Sequence, residues 1–297
     1  MIKDTKVWII IINYNGIYDT RECVKSILES KYDSEIVIID NASDNNEGEI
    51  LDKEYIDVHV IKSKVNLGFA GGNNLGIQFA IQHGANYIML LNNDTIIHPG
   101  MINELMDNCK VADVITPRMF YYDKRDVIWY SGGNINRFSG NIKSKYIGKN
   151  ERKVKNRIEK CTFATGCCML FSTDLIDKVG YLKDDYFMYC EDTEFSLKVI
   201  GVDGVIKVIP TAKLWHKVSA STGGVGSAFS LYYTSRNRLY YINEHREYFF
   251  WTAIVCAIVS RVIRIIQYRL IGNDIWKSYY KALKDYKNGI VGKQPYE

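Results

Sequence analysis

The sequence predicts an α/β fold: a Rossmann-like, mostly parallel sheet flanked by helices, followed by a C-terminal helical tail. Short apolar runs at Val7 to Ile12, Glu35 to Asp40 and Tyr87 to Leu91 alternate with helix-patterned segments, as strands covered on both faces do. All three runs end in Asn or Asp: Asn13, then Asp40-Asn41, then Asn92-Asn93-Asp94. Parallel strands bring their carboxyl ends to one edge, where open α/β sheets bind ligands, so the three polar tips point to one site. Each tip alone has an ordinary explanation. Asp94, for example, could cap a helix beginning near Pro99. The coincidence of three is harder to explain by packing than any one of them.

Val7 to Ile12 is read as a buried first strand, because it is too short and too abruptly polar-ended for the apolar core of a secretory leader. A helix follows from Asp19 to Ser30, with Val24, Ile27 and Leu28 on its apolar side. After the second strand and a short third one, Val58 to Ile61, the run Asn66-Leu67-Gly68-Phe69-Ala70-Gly71-Gly72-Asn73-Asn74 opens a helix reaching about His83. Its glycines permit close backbone approach, and a helix amino end attracts anions. The spacing is not that of a dinucleotide fingerprint, and a turn needing Gly for packing alone fits equally. The fourth strand, a helix from Pro99 to Cys109 and a strand from Asp113 to Thr116 continue the right-handed crossovers.

From Tyr121 to Lys160 the periodicity fails, and the stretch turns Gly-rich and then basic, which predicts a mobile, solvated excursion. It lacks the interleaved aromatics of a nucleic-acid platform, so no nucleic-acid partner is expected. Order returns with Ala164-Thr165-Gly166, a strand from Cys168 to Ser172, a short helix from Thr173 to Val179 and a helix ending at Ile200. Glu191 and Asp192 start that last helix, where its dipole favours carboxylates, so capping and chemistry both suit them. A strand from Val205 to Ile209, the Leu214-Trp215-His216 segment with its Ser/Thr/Gly loop through Gly226, and a helix over 229–246 bearing Arg236, Asn237 and Arg238 complete this part.

The tail differs in character. Tyr248 to Ser260 is apolar but shorter than the roughly 20 residues that span a bilayer. Continued as a helix, it puts Arg261, Arg264 and Tyr268 on one side and Val255, Val259, Val262, Ile266 and Leu270 on the other. That pattern suits a helix lying in a membrane interface, with Phe249, Phe250 and Trp251 as anchors. Packing on the domain, or in a homodimer, is the alternative. Residues 236–297 hold 11 Lys/Arg against 5 Asp/Glu, whereas the whole chain is only +4, so the positive surface lies in the tail and favours an anionic membrane or partner. Two units are therefore expected: 1–246, including the 121–160 excursion, and a basic helical 247–297.

The composition, 47% hydrophobic and 24% charged over 297 residues, excludes a disordered chain. Seven cysteines, odd in number and without a CxxC, predict reduced thiols and a cytoplasmic protein. Cys161, Cys167 and Cys190 lack the paired spacing of a zinc site.

The segments IIINYNG, VIIDNASDN, NLGFAGGNN, IMLLNNDT, ATGCCMLF, FMYCEDTEFSLK, WHKVSAST and SRNRLYY occur in an order that resembles family 2 glycosyltransferases of the GT-A fold, in their rhamnosyltransferase-like branch. The resemblance covers roughly residues 5–240, leaving out the 121–160 stretch and the tail. It implies inverting transfer of a sugar, with TDP-rhamnose the first candidate, from a nucleotide-diphosphate donor to a hydroxyl of a glycan acceptor. A polyprenyl-linked acceptor at the inner face of the cell membrane, in cell-surface polysaccharide synthesis, would suit the tail. Asp94 matches the metal-binding acid of the family's DXD motif and His216 a histidine that binds metal or diphosphate, implying Mg²⁺ or Mn²⁺. Asn92 stands where many relatives carry a second acid. Asn13, Asp40, Asn66, Gly71, Asn74, Asn92 and Asn93 match the nucleotide site, and Arg236 a diphosphate contact. Asp192 is the implied catalytic base, with Glu191 as its helper or its substitute. The alternatives are a non-catalytic partner subunit and a sugar nucleotidylyltransferase. The latter expects a Gly-rich, basic loop where this chain has Asn-Tyr-Asn-Gly.

Overall fold

The computed structural model describes residues 6–218 and 226–295. The loop expected from Lys217 to Gly226 therefore lies largely outside the described residues. The apolar runs are strands of one sheet. In chain order the first half comprises β1 (Val7–Asn13), α1 (Ile17–Glu29), β2 (Glu35–Asp40), α2 (Glu47–Glu54), β3 (His59–Lys62), α3 (Gly68–Gln82) and β4 (Tyr87–Asn92). Next come β5 (Thr95–Ile97), α4 (Met101–Asp107), β6 (Val114–Tyr121), β7 (Lys124–Tyr130), β8 (Gly133–Ile135), β9 (Ile142–Ser144) and β10 (Glu159–Cys161). The last elements are β11 (Cys168–Ser172), α5 (Thr173–Val179), α6 (Glu191–Gly201), β12 (Ile206–His216), α7 (Ala228–Glu244), α8 (Thr252–Leu270) and α9 (Trp276–Lys287).

The main sheet runs β3-β2-β1-β4-β11-β6-β12-β10, with β5 on β12 and β7 on β6. β1 pairs in parallel with both β2 and β4, while β11 runs antiparallel between β4 and β6. Strand order thus reverses at β1, which opens a crevice beyond the carboxyl ends. The register sets Asn13 opposite Asp40 and Ile12 opposite Asn92, so the three polar tips stand level.

Alternation along β1 divides the core. Ile9 and Ile11 pack with Val24, Ile27, Met101 and Leu105 of α1 and α4. Trp8 and Ile10 face the other way, toward Ala70 and Ile77 of α3 and Phe195 of α6. Each such aliphatic side chain stabilises the fold by about 1.5–3 kcal/mol through burial. α3 lies so close to β1 that a Cβ on Gly76 would stand 2.5 Å from Ile10 Cγ2, so Gly76→Ala would push the helix off the sheet.

Three expectations need correction. The 121–160 stretch is not a solvated excursion: β7 extends the sheet along β6, β8 and β9 form a hairpin, and β10 pairs with β12. Ile128, Tyr130 and Ile135 are buried, and the Tyr130 hydroxyl donates to the Phe163 carbonyl at 2.6 Å. The basic residues are partly neutralised, with Lys145 and Arg157 both on Glu159 at 3.0 and 3.1 Å. The apolar alternation was too brief to outweigh the charge around it. Second, β6 and β12 run past Thr116 and Ile209, the ends expected for those strands. The β6–β12 register shifts between Ile209 and Lys213, a bulge that accommodates proline, and β12 continues to His216. Third, Phe249 is buried beside Tyr241 and Tyr248 and so cannot be a surface anchor, whereas Phe250 and Trp251 are exposed.

The tail packs on the rest of the chain. Asp285 of α9 accepts from the Tyr232 hydroxyl of α7 at 2.6 Å, and the Tyr240 hydroxyl donates to the Ile290 carbonyl at 2.9 Å. On α8 the sides are reversed from the usual globular pattern: Ala253, Ala257 and Arg261 are buried, and the aliphatic stripe faces outward. Among the described residues no helix is long and apolar enough to cross a membrane.

Candidate active site

Asn13 is the hub of the first two strand ends. Fully buried, it donates through Nδ2 to Asp40, Ser43 and Glu47 at 2.9–3.0 Å and accepts from the Thr20 hydroxyl at 2.7 Å. Its polar capacity is spent on locking the tips of β1 and β2, with Asp40 buried beneath the site. The next residue, Asn41, is the one that reaches outward. Its side chain accepts from the Leu67 amide at 2.9 Å and donates to the Gly68 carbonyl at 3.0 Å.

Asn41 and Asn66 together cap α3. Gly68 N donates to Asn66 Oδ1 at 2.8 Å, and Phe69 N donates to the Phe187 carbonyl at 2.7 Å. Gly68 has φ +73°, and a Cβ there would lie 2.2 Å from that carbonyl, so glycine is required. The amides of Leu67, Gly68 and Phe69, expected to attract an anion, are therefore occupied by the protein itself. Gly71 is a packing residue, a Cβ there meeting Leu67, and Asn74 holds both backbone polar groups of Leu182 at 2.7 and 3.0 Å.

A cavity of about 360 Å³ opens over these strand tips. Tyr14, Asn41, Asn66, Asn92, Asn93, Asp94, Phe187, Tyr233 and Lys293 are among the residues that line it. Asn92 is tied by its backbone to the Cys167 carbonyl at 2.9 Å, and Asn93 donates to the Thr20 hydroxyl at 3.0 Å.

The extended β12 pairs with β5, setting His216 opposite Thr95. His216 Nε2 stands 3.1 Å from Asp94 Oδ1, and both side chains are buried. Asp94 Oδ1 and His216 Nδ1 nonetheless lack a hydrogen-bond partner of good geometry. Two ligands bonded at about 2.1 Å to one octahedral cation stand about 3 Å apart, so this spacing and the unsatisfied carboxylate oxygen fit a divalent ion. Among the described residues no third His, Cys, Asp or Glu joins them. Mg²⁺ commonly keeps such open positions for substrate phosphates and water.

α6 presents the two further acids. Asp192 accepts from Gly166 N at 3.1 Å and Thr193 N at 2.7 Å, and the neighbouring Cys167 holds the tip of β4, so its carboxylate is fixed relative to Asn92. Glu191 is buried, with Oε2 unsatisfied. Burial, then the adjacent Asp192 charge, raises the Glu191 carboxyl well above the ordinary range. Burial raises Asp192 too, opposed by the amides of Gly166 and Thr193. The pair is therefore arranged with Asp192 as the better-supported anion. Neither acid lines the 360 Å³ cavity itself.

The segment before α6 is strained, with positive φ at Phe187, Tyr189 and Cys190. Asn237 clamps it, Nδ2 donating to the carbonyls of Tyr186, Met188 and Tyr189 at 3.0, 2.9 and 2.8 Å. Arg236 fixes that amide's orientation, Nε donating to Asn237 Oδ1 at 2.9 Å. Fully buried, Arg236 also donates to the Gly292 carbonyl at 2.9 Å and does not line the cavity. The expected diphosphate contact is thus a scaffold residue. Sequence reasoning passed over Asn41 as a site residue, although it shares the second polar tip. It gave no hint of Thr20, Glu47, Phe187, Tyr233 or Lys293.

Residues 8–180 match the family described as glycosyl transferase family 2. Over 235 residues, 77% of this chain and 73% of the relative, the sequence is 26% identical to the low-salt glycan biosynthesis hexosyltransferase Agl10 of Haloferax volcanii. It is 22% identical to the dTDP-rhamnosyl transferase RfbF of Shigella flexneri over 72% of this chain and 70% of that protein. The crystal structure of GalNAc-T7 with UDP, GalNAc and Mn2+ superposes with a TM-score of 0.63 at 17% identity, and S. aureus TarS with 0.54 at 16%. These cover 82% and 80% of this chain but only 48% and 40% of those longer chains, and they show a shared GT-A architecture.

Proposed function

From the premise that the chain belongs to glycosyl transferase family 2, we propose that it transfers a sugar from a nucleotide-diphosphate donor to a hydroxyl of a glycan acceptor, with inversion at the anomeric carbon. The observation that carries this reading is the cavity at the reversal point of the sheet, lined by Asn92-Asn93-Asp94, with His216 beside Asp94. The nucleoside lies toward Asn41 and Asn66, and the diphosphate toward Asp94. Asp94 and His216 would hold Mg²⁺ or Mn²⁺, which offsets charge growing on the diphosphate leaving group. Asp192, held by Gly166 and Thr193, takes the acceptor's proton, and Glu191 stays protonated beside it. Asn237 keeps the strained 186–189 carbonyls in place, so the wall of the cavity and the start of α6 move as one.

dTDP-rhamnose is the first donor to test, supported by the likeness to RfbF, and hexoses follow from the likeness to Agl10. The acceptor is a polyprenyl-linked glycan on the cytoplasmic face of a membrane, reached through α8. Trp251 is 76% and Leu270 81% exposed, and Val255, Val259, Val262 and Ile266 lie between them on one outward stripe. Phe138 and Phe250 stack at the helix start, with the Arg137 guanidinium 5.2 Å from the Phe250 ring. Aromatic and basic residues around an apolar stripe suit an anionic lipid surface. The test is nucleoside diphosphate release from dTDP-, UDP- and GDP-sugars with Mn²⁺ and a lipid-linked acceptor. Acceptor-dependent release supports the reading. Silence across the panel would favour a partner subunit, and pyrophosphate formation from a sugar phosphate and NTP a nucleotidylyltransferase.

A further inference from the structure

Resting on the donor-site reading above, we propose that Lys293 binds the donor's diphosphate, carried into the cavity by a C-terminal strap over residues 289–295. The strap returns from α9 to the strand tips and is pinned on both sides of Lys293. Gly292 donates to the Asp185 carbonyl at 2.6 Å and accepts from Arg236 at 2.9 Å. Gln294 N donates to the Tyr233 hydroxyl at 2.9 Å. Further back, Tyr240 holds Ile290. Lys293 itself lies against Phe187, its ammonium 5.8 Å from the ring centroid, on the cavity wall.

A diphosphate in this cavity needs more positive charge than the other candidates offer. The first amides of α3 are occupied by Asn41, Asn66 and Phe187, as set out above. Arg236 is committed to Gly292 and Asn237. The metal pair has a single carboxylate, with Asn92 in place of a second acid, so it holds an ion less tightly than two acids would. Among the described residues Lys293 is the one cation that lines the cavity, and no carboxylate among them pairs with it. An ammonium on a flexible stem is suited to a phosphate whose charge changes during reaction. Arg236 then acts at one remove, because its bond to Gly292 sets where Lys293 stands. The tail is by this argument part of the active site as well as a surface.

Calorimetric titration of dTDP, UDP and GDP with Mn²⁺ into the full chain tests the proposal, with Lys293→Gln and Lys293→Arg compared to wild type. The diphosphate that wild type binds should bind Lys293→Gln about tenfold or more weakly, as loss of a charge-assisted contact predicts. Lys293→Arg should recover most of the affinity, and the parent nucleoside, measured by competition, should bind all three proteins alike. Equal diphosphate affinity in wild type and Lys293→Gln overturns the assignment. So does an equal loss for nucleoside and diphosphate, which would mean the residue only packs the wall. If wild type binds none of the three diphosphates, the donor-site reading itself fails.

Discussion

Replacing Asn237 with Ala should disable transfer beyond what the lost stability explains. The two N–H groups of its amide serve three carbonyls, those of Tyr186, Met188 and Tyr189, and the Tyr186 carbonyl also accepts from Met188 N. A hydrogen bond of this kind contributes about 1 kcal/mol net, so loss of the amide's two N–H donors costs about 2 kcal/mol. At about 2–4 °C per kcal/mol for a domain approaching this size, the melting temperature should fall by about 4–8 °C. Positive φ at Phe187, Tyr189 and Cys190 adds strain of about 1–3 kcal/mol per residue, which the clamp now restrains. Released, the segment should relax, moving Phe187 on the cavity wall and the acids that open α6. Leu105→Ala, a buried change in α4 remote from the site, costs about 2–5 kcal/mol and serves as the stability-matched control. Assayed below both melting transitions, Leu105→Ala should keep near-wild-type kcat, whereas Asn237→Ala should lose about a hundredfold, the scale on which small misplacements of reacting groups act. Equal kcat in the two variants would refute the clamp.

Three more predictions follow from the same geometry. Glu191 is raised when folded, so its contribution to stability is present below its unfolded value of 4.5 and is lost as pH rises through the folded one. Glu191→Gln should therefore melt higher than wild type at pH 7, with the gap closing toward pH 4.5, and a gap independent of pH would contradict the shift. Asp94→Asn should weaken Mn²⁺-dependent binding of a nucleoside diphosphate by at least about tenfold while leaving metal-free binding unchanged; calorimetry with and without EDTA reads both, and loss in both conditions would show a packing role instead. Val259→Asp with Ile266→Asp, both exposed on α8, should abolish sedimentation with phosphatidylglycerol vesicles while changing stability by only about 0.5 kcal/mol per site. Persistent vesicle binding, or a wild-type dimer that the double variant splits, would assign the stripe to another occupant.

The sheet was legible because its strands are apolar on both faces, and the ligand edge because three of them end in Asn or Asp. Other parts depended on information a linear pattern does not hold. β12 looked finished at Ile209 because a bulge that admits Pro210 is a property of two strands together, and His216 reaches Asp94 only through that continuation. The 121–160 stretch looked solvated because its buried residues, Ile128, Tyr130 and Ile135, are few among many charges. Arg236, expected on the diphosphate, engages Gly292, which is distant along the chain, as well as its neighbour Asn237. Lys293 was invisible for a related reason. It is far from the strand tips along the chain, and only the return of the strap past α9 brings it to them. The amphipathic pattern of α8 was read correctly as two sides, but sequence could not say that Arg261 faces the protein and the aliphatic side faces out.

The account turns on a single displacement at the anomeric carbon, with Asp192 drawing the acceptor's proton. The most direct test is the anomeric configuration of the product, followed by NMR, for whichever donor the panel identifies. The prediction is an inverted linkage, with Asp192→Asn losing transfer while still binding the nucleoside diphosphate. A product that retains the donor's configuration, or an Asp192→Asn variant with near-wild-type turnover, would contradict it.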